Sequence, residues 1–331
     1  MRLRPHPFVM SVMILLAAAA VPVAAQTSPD AGALHGGLYR LSTETSFEEG
    51  CFAPCLCPIR IASGVLGTFR MTEAAPDPLF QIFDVTEVNW IVPGTEDRVT
   101  GSGTYRIGGE FARMHQLQLD LKVGDREVQR FDSGLLQGGA EFPAIVISIA
   151  VNGMICFDTV FNLKAKPVLP IEIVPFSLDR SDYEEGCFGP CDCLVTSWPL
   201  VGRFGLLRLD DTTEQADFAV LDIDWRAREP VLPPATDARV VTGYGLYRLL
   251  KSAGQKRMVL DLIENGGGPR HFDSGTVPGG GSTKRIDIDL AESAFACFDR
   301  VYSIHARRRP SVAYLQGLGT EPVTATIAPA P

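Results

Sequence analysis

Apolar and polar residues alternate at every second position along much of this chain. Gln116-Leu-Gln-Leu-Asp-Leu-Lys122 puts Leu117, Leu119 and Leu121 on one side of an extended segment and polar side chains on the other. Ile145-Val-Ile-Ser-Ile149 and Ile286-Asp-Ile-Asp-Leu290 repeat the pattern, and Phe157, Val160, Phe161 and Leu163 mark a further strand. Gly, Pro or Asp interrupts such runs every 8–12 residues or so. No long segment carries a helical period. The pattern predicts an all-β fold, an antiparallel sandwich or barrel rather than a βαβ arrangement.

The pattern also occurs twice. Ser46-Phe-Glu-Glu-Gly-Cys-Phe-Ala-Pro-Cys-Leu-Cys57 returns as Asp182-Tyr-Glu-Glu-Gly-Cys-Phe-Gly-Pro-Cys-Asp-Cys193, and Val99-Thr-Gly-Ser-Gly-Thr-Tyr-Arg106 as Val241-Thr-Gly-Tyr-Gly-Leu-Tyr-Arg248. Leu119-Asp-Leu121 matches Leu260-Asp-Leu262, and Phe131-Asp-Ser-Gly134 matches Phe272-Asp-Ser-Gly275. Both copies close on Cys-Phe-Asp-x-Val, at Cys156 and Cys297. Gly64 and Gly67, followed by Arg70, align with Gly202 and Gly205, followed by Arg208. So many collinear matches predict a tandem duplication of one domain. The first copy is expected at 36–166 and the second at 178–309. A Pro-rich linker is expected at 167–177 and a loosely held tail at 310–331.

Ahead of the repeat, Arg2 and Arg4 precede an apolar run from Phe8 to Val23, and Val23-Ala24-Ala25 supplies small residues for cleavage. Residues 1–25 read as a signal peptide cut after about Ala25, and the mature chain as secreted or periplasmic. No Cys follows the cut to carry a lipid anchor. No later stretch approaches the ~20 apolar residues of a membrane span. Without Arg2 and Arg4 the chain holds 28 basic and 39 acidic residues, a net of −11 with His neutral. That charge argues against nucleic acid. Arg307-Arg308-Arg309 is the one dense basic run, expected as a solvated strand end.

The eight cysteines all fall within the repeat: Cys51, Cys55, Cys57 and Cys156, then Cys187, Cys191, Cys193 and Cys297. Four per copy in an exported chain predict two disulfides per domain. Bridging Cys55 to Cys57 would close a strained ring, so Cys156 is expected to join Cys55 or Cys57, with Cys51 taking the other. The alternative is a metal site in each copy, where the Cys-x3-Cys-x-Cys loop and the distant Cys offer four thiolates to zinc or copper. Cys-x3-Cys is similar to the copper-binding loops of some cytochrome oxidase subunits and their assembly factors. Those loops carry His and Met ligands, and none stands near Cys51 or Cys187.

Two Asp-Ser-Gly triplets in a duplicated, secreted, all-β chain resemble pepsin-like aspartic proteases. The resemblance implies that Asp132 and Asp273 would meet and share a proton, one as acid and one as base. The surroundings depart from that family. Arg130 or His271 stands two before the Asp, Leu135 or Thr276 follows the Gly, and the triplet falls late in each copy. Turn chemistry explains the triplets equally: Asp and Ser cap backbone amides and Gly takes positive φ. His35, His115, His271 and His305 have no His counterpart in the other copy, and no nucleophile elbow marks a Ser-His-Asp site.

Three further matched features carry weaker signals. Glu48-Glu49 and Glu184-Glu185 could ligate calcium but lack an Asp-rich loop. Asp158 and Asp299 are expected to face solvent or a neighbouring Arg. Tyr105-Arg106 and Tyr247-Arg248 fit either a ligand surface or cross-strand packing. A shared pocket lined by Trp90 and Trp225 would point to ligand binding. Positions matched between copies are mostly Cys, Gly, Pro and apolar or aromatic residues, which build a scaffold. The expected role is therefore non-enzymatic binding or structure without a cofactor. The partner would be a glycan or another envelope or extracellular protein. The alternatives are a secreted hydrolase using Asp132 and Asp273, and an envelope metal carrier using the Cys loops.

Overall fold

Alternation of this kind buries one face of each strand, and here the strands close on themselves. The computed structural model describes residues 36–310 apart from 56, 58, 75–76, 190, 228–237 and 280–282. The signal peptide expected at 1–25, His35 and the tail beyond Pro310 lie outside the described residues. The first copy comprises β1 (Gly36–Leu41), β2 (Ser46–Phe52), β3 (Arg60–Gly64), β4 (Leu66–Glu73), β5 (Phe80–Val92), β6 (Asp97–Gly108), β7 (Met114–Val123), β8 (Gln129–Asp132), β9 (Leu136–Gln137), β10 (Ile145–Ala150) and β11 (Cys156–Pro167). Neighbours run β1-β4-β5-β6-β7-β8-β10-β11, and β11 returns to β1 through Tyr39–Pro167, Arg40–Lys166 and Leu41–Ala165. The result is an eight-stranded antiparallel barrel, with the β2–β3 hairpin added along β11.

The second copy repeats this with β12 (Ile173–Leu178), β13 (Ser181–Phe188), β14 (Thr196–Asp211), β15 (Gln215–Ala227), β16 (Arg239–Leu250), β17 (Gln255–Glu264), β18 (Pro269–Asp273), β19 (Val277–Pro278), β20 (Arg285–Ala291) and β21 (Cys297–Arg308). Its barrel runs β12-β14-β15-β16-β17-β18-β20-β21 and closes from β21 to β12. The long β14 does the work of β3 and β4 together. The sandwich alternative is thereby set aside.

An eight-stranded barrel is just wide enough for its own side chains to fill. Phe83, Trp90, Tyr105, Phe131 and Phe161 pack the first interior, and Tyr183, Trp225, Tyr247, Phe272 and Tyr302 the second. Trp90 and Trp225 are 0% exposed in these separate cores, so no pocket is shared between them. The Gly-x-Gly pairs of β6 and β16 follow from close approach to the next strand. A Cβ on Gly103 or Gly245 would lie 2.0 or 2.1 Å from the carbonyl oxygen of Gln118 or Val259. Any side chain there would push the strands apart.

Two readings need correction. Gly67 is matched by Gly202, not Gly205: a Cβ on either would strike the backbone before Trp90 or Trp225, at 2.2 Å from Asn89 O or Asp224 O. Phe69 and Phe204 then stack alike on Tyr39 and Phe176. Arg70 and Arg208 are consequently not equivalent. The expected linker also contains β12, so only 168–172 connects the barrels, through a one-turn 3-10 helix at Pro170–Glu172. Proline does not exclude a strand here, since Pro175 sits within β12 opposite Gly205 and still accepts from Arg309 N through its carbonyl.

The outer faces of the barrels meet through an apolar cluster of Leu38, Leu66 and Ile91 against Ile173, Leu207, Leu209, Ala219, Leu221 and Leu246. Polar contacts surround it. Asn89 Nδ2 donates to Gly245 O at 2.8 Å, and Arg98 pairs with Asp261 at 2.9 Å. Arg70 bridges Glu87 of one barrel and Asp222 of the other. Both acids sit at matched bulges with φ near +50°.

Candidate functional site

Each cysteine loop is closed covalently. Cys55 joins Cys156 and Cys51 joins Cys57, and the second copy matches with Cys191–Cys297 and Cys187–Cys193. The long bridges tie the loop after β2 or β13 to the start of the last strand. With every cysteine sulfur in an S–S bond, no thiolate remains for zinc or copper. Among the described residues, no group of three or more His, Cys, Asp or Glu is arranged to hold a metal ion.

The Asp-Ser-Gly triplets build turns. Gly134 N donates to Asp132 Oδ1 at 2.7 Å, and Gly275 N to Asp273 Oδ1 at 2.8 Å. Ser133 Oγ accepts from Leu117 N while Ser133 N donates to Leu117 O, and Ser274 does the same with Met258. The serine thus extends the ladder where β8 and β18 end, and Gly134 and Gly275 take φ of +66° and +61°. Each carboxylate is engaged inside its own barrel. Asp132 receives Gln116 and Gln118, both at 2.7 Å, and Asp273 receives Arg257 at 2.6 Å. Burial opposes ionisation at both acids, and these donors outweigh it, holding both below the usual carboxylate range. Both acids therefore serve as turn acceptors, Asp132 for Gln116, Gln118 and Gly134 N, and Asp273 for Arg257 and Gly275 N.

Asp158 and Asp299 contradict the expectation of solvent exposure. Each is only 2% exposed and accepts three backbone N–H groups. The donors are Asn152, Met154 and Thr159 in one copy, and Ser293, Phe295 and Arg300 in the other. These acids hold the turn before the last strand and so position Cys156 and Cys297. Three of the four paired acids are taken up by cations, Glu48 by Arg60, Glu49 by Arg126, and Glu185 by Arg239 and Arg300, while burial with Asp182 and Asp289 nearby pushes Glu184 above the usual carboxylate range.

A cleft of about 580 Å³ lies where the barrels adjoin. One wall carries Arg98, Thr100, Lys122 and Asp125 from β6, β7 and the following turn; the other carries Asp217, Tyr244, Arg248, Arg257, Asp261 and His271. Ile91, Leu246 and Val259 give it apolar patches. Arg248 is held by Asp217 at 2.6 Å and reaches Glu96 of the first barrel at 2.5 Å. His271 Nδ1 lies 3.0 Å from Asp261. Burial pushes Asp261 up, but His271 and Arg98 together bring it below the usual range. Burial pushes Asp217 above that range despite Arg248. Lys122 and Asp125 are exposed and have no ion-pair or hydrogen-bond partner among the described residues. Arg98 Nε and Arg248 Nη2 are shielded from solvent and lack an acceptor there.

Of these residues the sequence singles out Arg248, in a matched Tyr-Arg pair whose Tyr247 is buried in the core, and His271, which has no His counterpart. Thr100, Tyr244 and Asp261 lie in matched segments without a chemical signal, and Arg257 is reached only through Asp273, which positions it. No signal in one chain could have joined them. No protein-family model, curated protein or solved structure matches this chain.

Proposed function

We propose that the protein is an exported, non-enzymatic binding protein whose ligand seat is the cleft between its barrels. One observation carries the reading. Both barrel interiors are filled by their own side chains, while the cleft gathers ionised groups from both copies around small apolar patches, as small-molecule sites do. The mix of Lys122, Arg257 and His271 with Asp125 and Asp261 suits a small polar ligand with both donors and acceptors, such as a saccharide. The apolar run at 8–23 and the four disulfides support export to an oxidising compartment. No helix among the described residues is long and apolar enough to cross a membrane.

The test is thermal unfolding with a panel of neutral sugars, acidic sugars and amino acids, followed by calorimetry on any that stabilise. A bound ligand at a hundred times its Kd adds about 2.7 kcal/mol of stability. The expected result is a member of the panel whose effect disappears in Lys122→Ala/Asp125→Ala, two replacements that break no internal contact. Binding that persists in the double variant and in Arg257→Ala would place the ligand elsewhere.

A further inference from the structure

At the end of the second barrel, away from the cleft residues in sequence, a second concavity of about 240 Å³ is lined by Asp179, Arg180, Arg285, His305 and Arg307 alone. We propose that this hollow binds a phosphate-type oxyanion, either free or displayed as a lipid headgroup.

The first observation is the density of like charge in an acidic protein. Arg285 and Arg307 are direct cross-strand partners in β20 and β21, where like charges repel. Each leans on one acid, Arg285 on Asp287 and Arg307 on Asp179, both at 2.8 Å. His305 Nδ1 also reaches Asp287 at 2.9 Å. Arg180 is exposed and has no partner among the described residues. It sits in the β12–β13 turn at φ +58°, a left-handed conformation that costs a non-glycine residue energy. Arg308 and Arg309 follow directly. Three guanidiniums against two carboxylates leave the hollow positive, and fork-shaped donors suit the oxygens of phosphate.

The second observation comes from the duplication. Thr45 Oγ1 and Ser181 Oγ donate to matched carbonyls, of Lys164 and His305, which fixes the equivalence of the two turns. In the first copy the residue before Thr45 is Glu44, and it pairs with Lys164. In the second copy the corresponding residues are Arg180 and His305. An internal ion pair has become two basic groups. Arg285 likewise stands where the first copy has Ala144, since Ile145 and Ile286 occupy matched registers opposite Ala165 and Ala306. The shared fold does not need these cations.

The test uses the mature full-length chain at low salt. Inorganic phosphate is titrated by calorimetry, and co-sedimentation compares phosphatidylglycerol-containing vesicles with pure phosphatidylcholine. Binding to phosphate alone identifies a free anion as the ligand; binding to the anionic vesicles, with phosphate competing, identifies the headgroup. In either case Arg180→Glu should weaken binding at least about tenfold, and Arg180→Lys should retain most of it. Arg126→Gln, on the first barrel, should change nothing. Arg180→Glu removes no internal contact, so its unfolding temperature should match the parent's. The proposal is overturned if neither probe binds, if Arg180→Glu binds as the parent does, or if Arg126→Gln loses as much.

Discussion

The two barrels share a backbone but fill one end differently. In the first, the paired Phe47 and Phe161 of β2 and β11 pack beside Val123, and the register partner of Phe47 across the hairpin is Ser63. The same positions in the second barrel hold Tyr183, Tyr302, Glu264 and Trp198. There Tyr302 donates to Glu264 at 2.7 Å and Tyr183 to Glu185 at 2.8 Å, while Arg239 lies over the Tyr183 ring at 4.5 Å and 3.3 Å from Glu264. Burial and the neighbouring Glu264 push Tyr302 far above the ordinary phenol range. What the copies share is the cysteine bridges, the buried Asp of the last turn, the Asp-Ser-Gly ladder extension, the close-approach glycines and the core Trp. That shared set specifies the barrel. The end of the barrel is free to be oily or charged, provided each buried hydroxyl finds an acceptor.

The largest expected effect tests what is shared. Removing Cys55–Cys156 or Cys191–Cys297 as paired Cys→Ala should cost each copy about 4–5 kcal/mol in the chain-entropy model, given separations of 101 and 106 residues. Removing Cys51–Cys57 or Cys187–Cys193, each spanning 6 residues, should cost roughly 2 kcal/mol. Chemical denaturation would check the ranking. Unequal costs for the two long bridges would mean that the barrels do not depend on them alike.

The next effect tests what differs. Phe161→Tyr would bury a hydroxyl beside Val123 with no acceptor, and should destabilise by about 1–3 kcal/mol. Tyr302→Phe takes a donor from Glu264 and should cost about 1–2 kcal/mol. A neutral Phe161→Tyr would show that the first end admits water.

Acid should loosen the molecule next. Asp261, Asp273 and Asp287 lie below the usual carboxylate range when folded: burial opposes this at each, and His271 with Arg98, Arg257, and His305 with Arg285 respectively outweigh it. A depressed folded pKa stabilises above the unfolded value, near about 4, and that stability is lost as pH falls through the folded value. Unfolding temperature should therefore hold from neutral pH to about 5 and drop below about 4. Asp261→Asn should drop less. The smallest effect is expected at Arg126–Glu49, a partly exposed pair at 3.0 Å, where Arg126→Gln should cost no more than about 1 kcal/mol.

The β class, the duplication and the two-bridge pattern were legible because alternation and cysteine spacing are local signals repeated twice. The glycine register slipped by three residues because Gly64, Gly67, Gly202 and Gly205 look alike as letters. Only the approach to Trp90 and Trp225 distinguishes them. Asp158 and Asp299 were misread because alternation assumes that a charged residue seeks water, whereas backbone amides can solvate a carboxylate fully. The cleft was illegible for another reason. Its walls run from Ile91 to His271 and come from opposite copies, so their meeting depends on how the barrels' outer faces pack. Arg257 shows the limit well: the motif drew attention to Asp273, while the residue that Asp273 positions faces the cleft.

Peptide mapping of the non-reduced purified protein by mass spectrometry tests the twin-barrel architecture most directly. The account predicts four linked peptides, joining Cys51 to Cys57, Cys55 to Cys156, Cys187 to Cys193 and Cys191 to Cys297, with no thiol open to alkylation. A bridge between the two halves, a Cys55–Cys57 link or free thiols would contradict it.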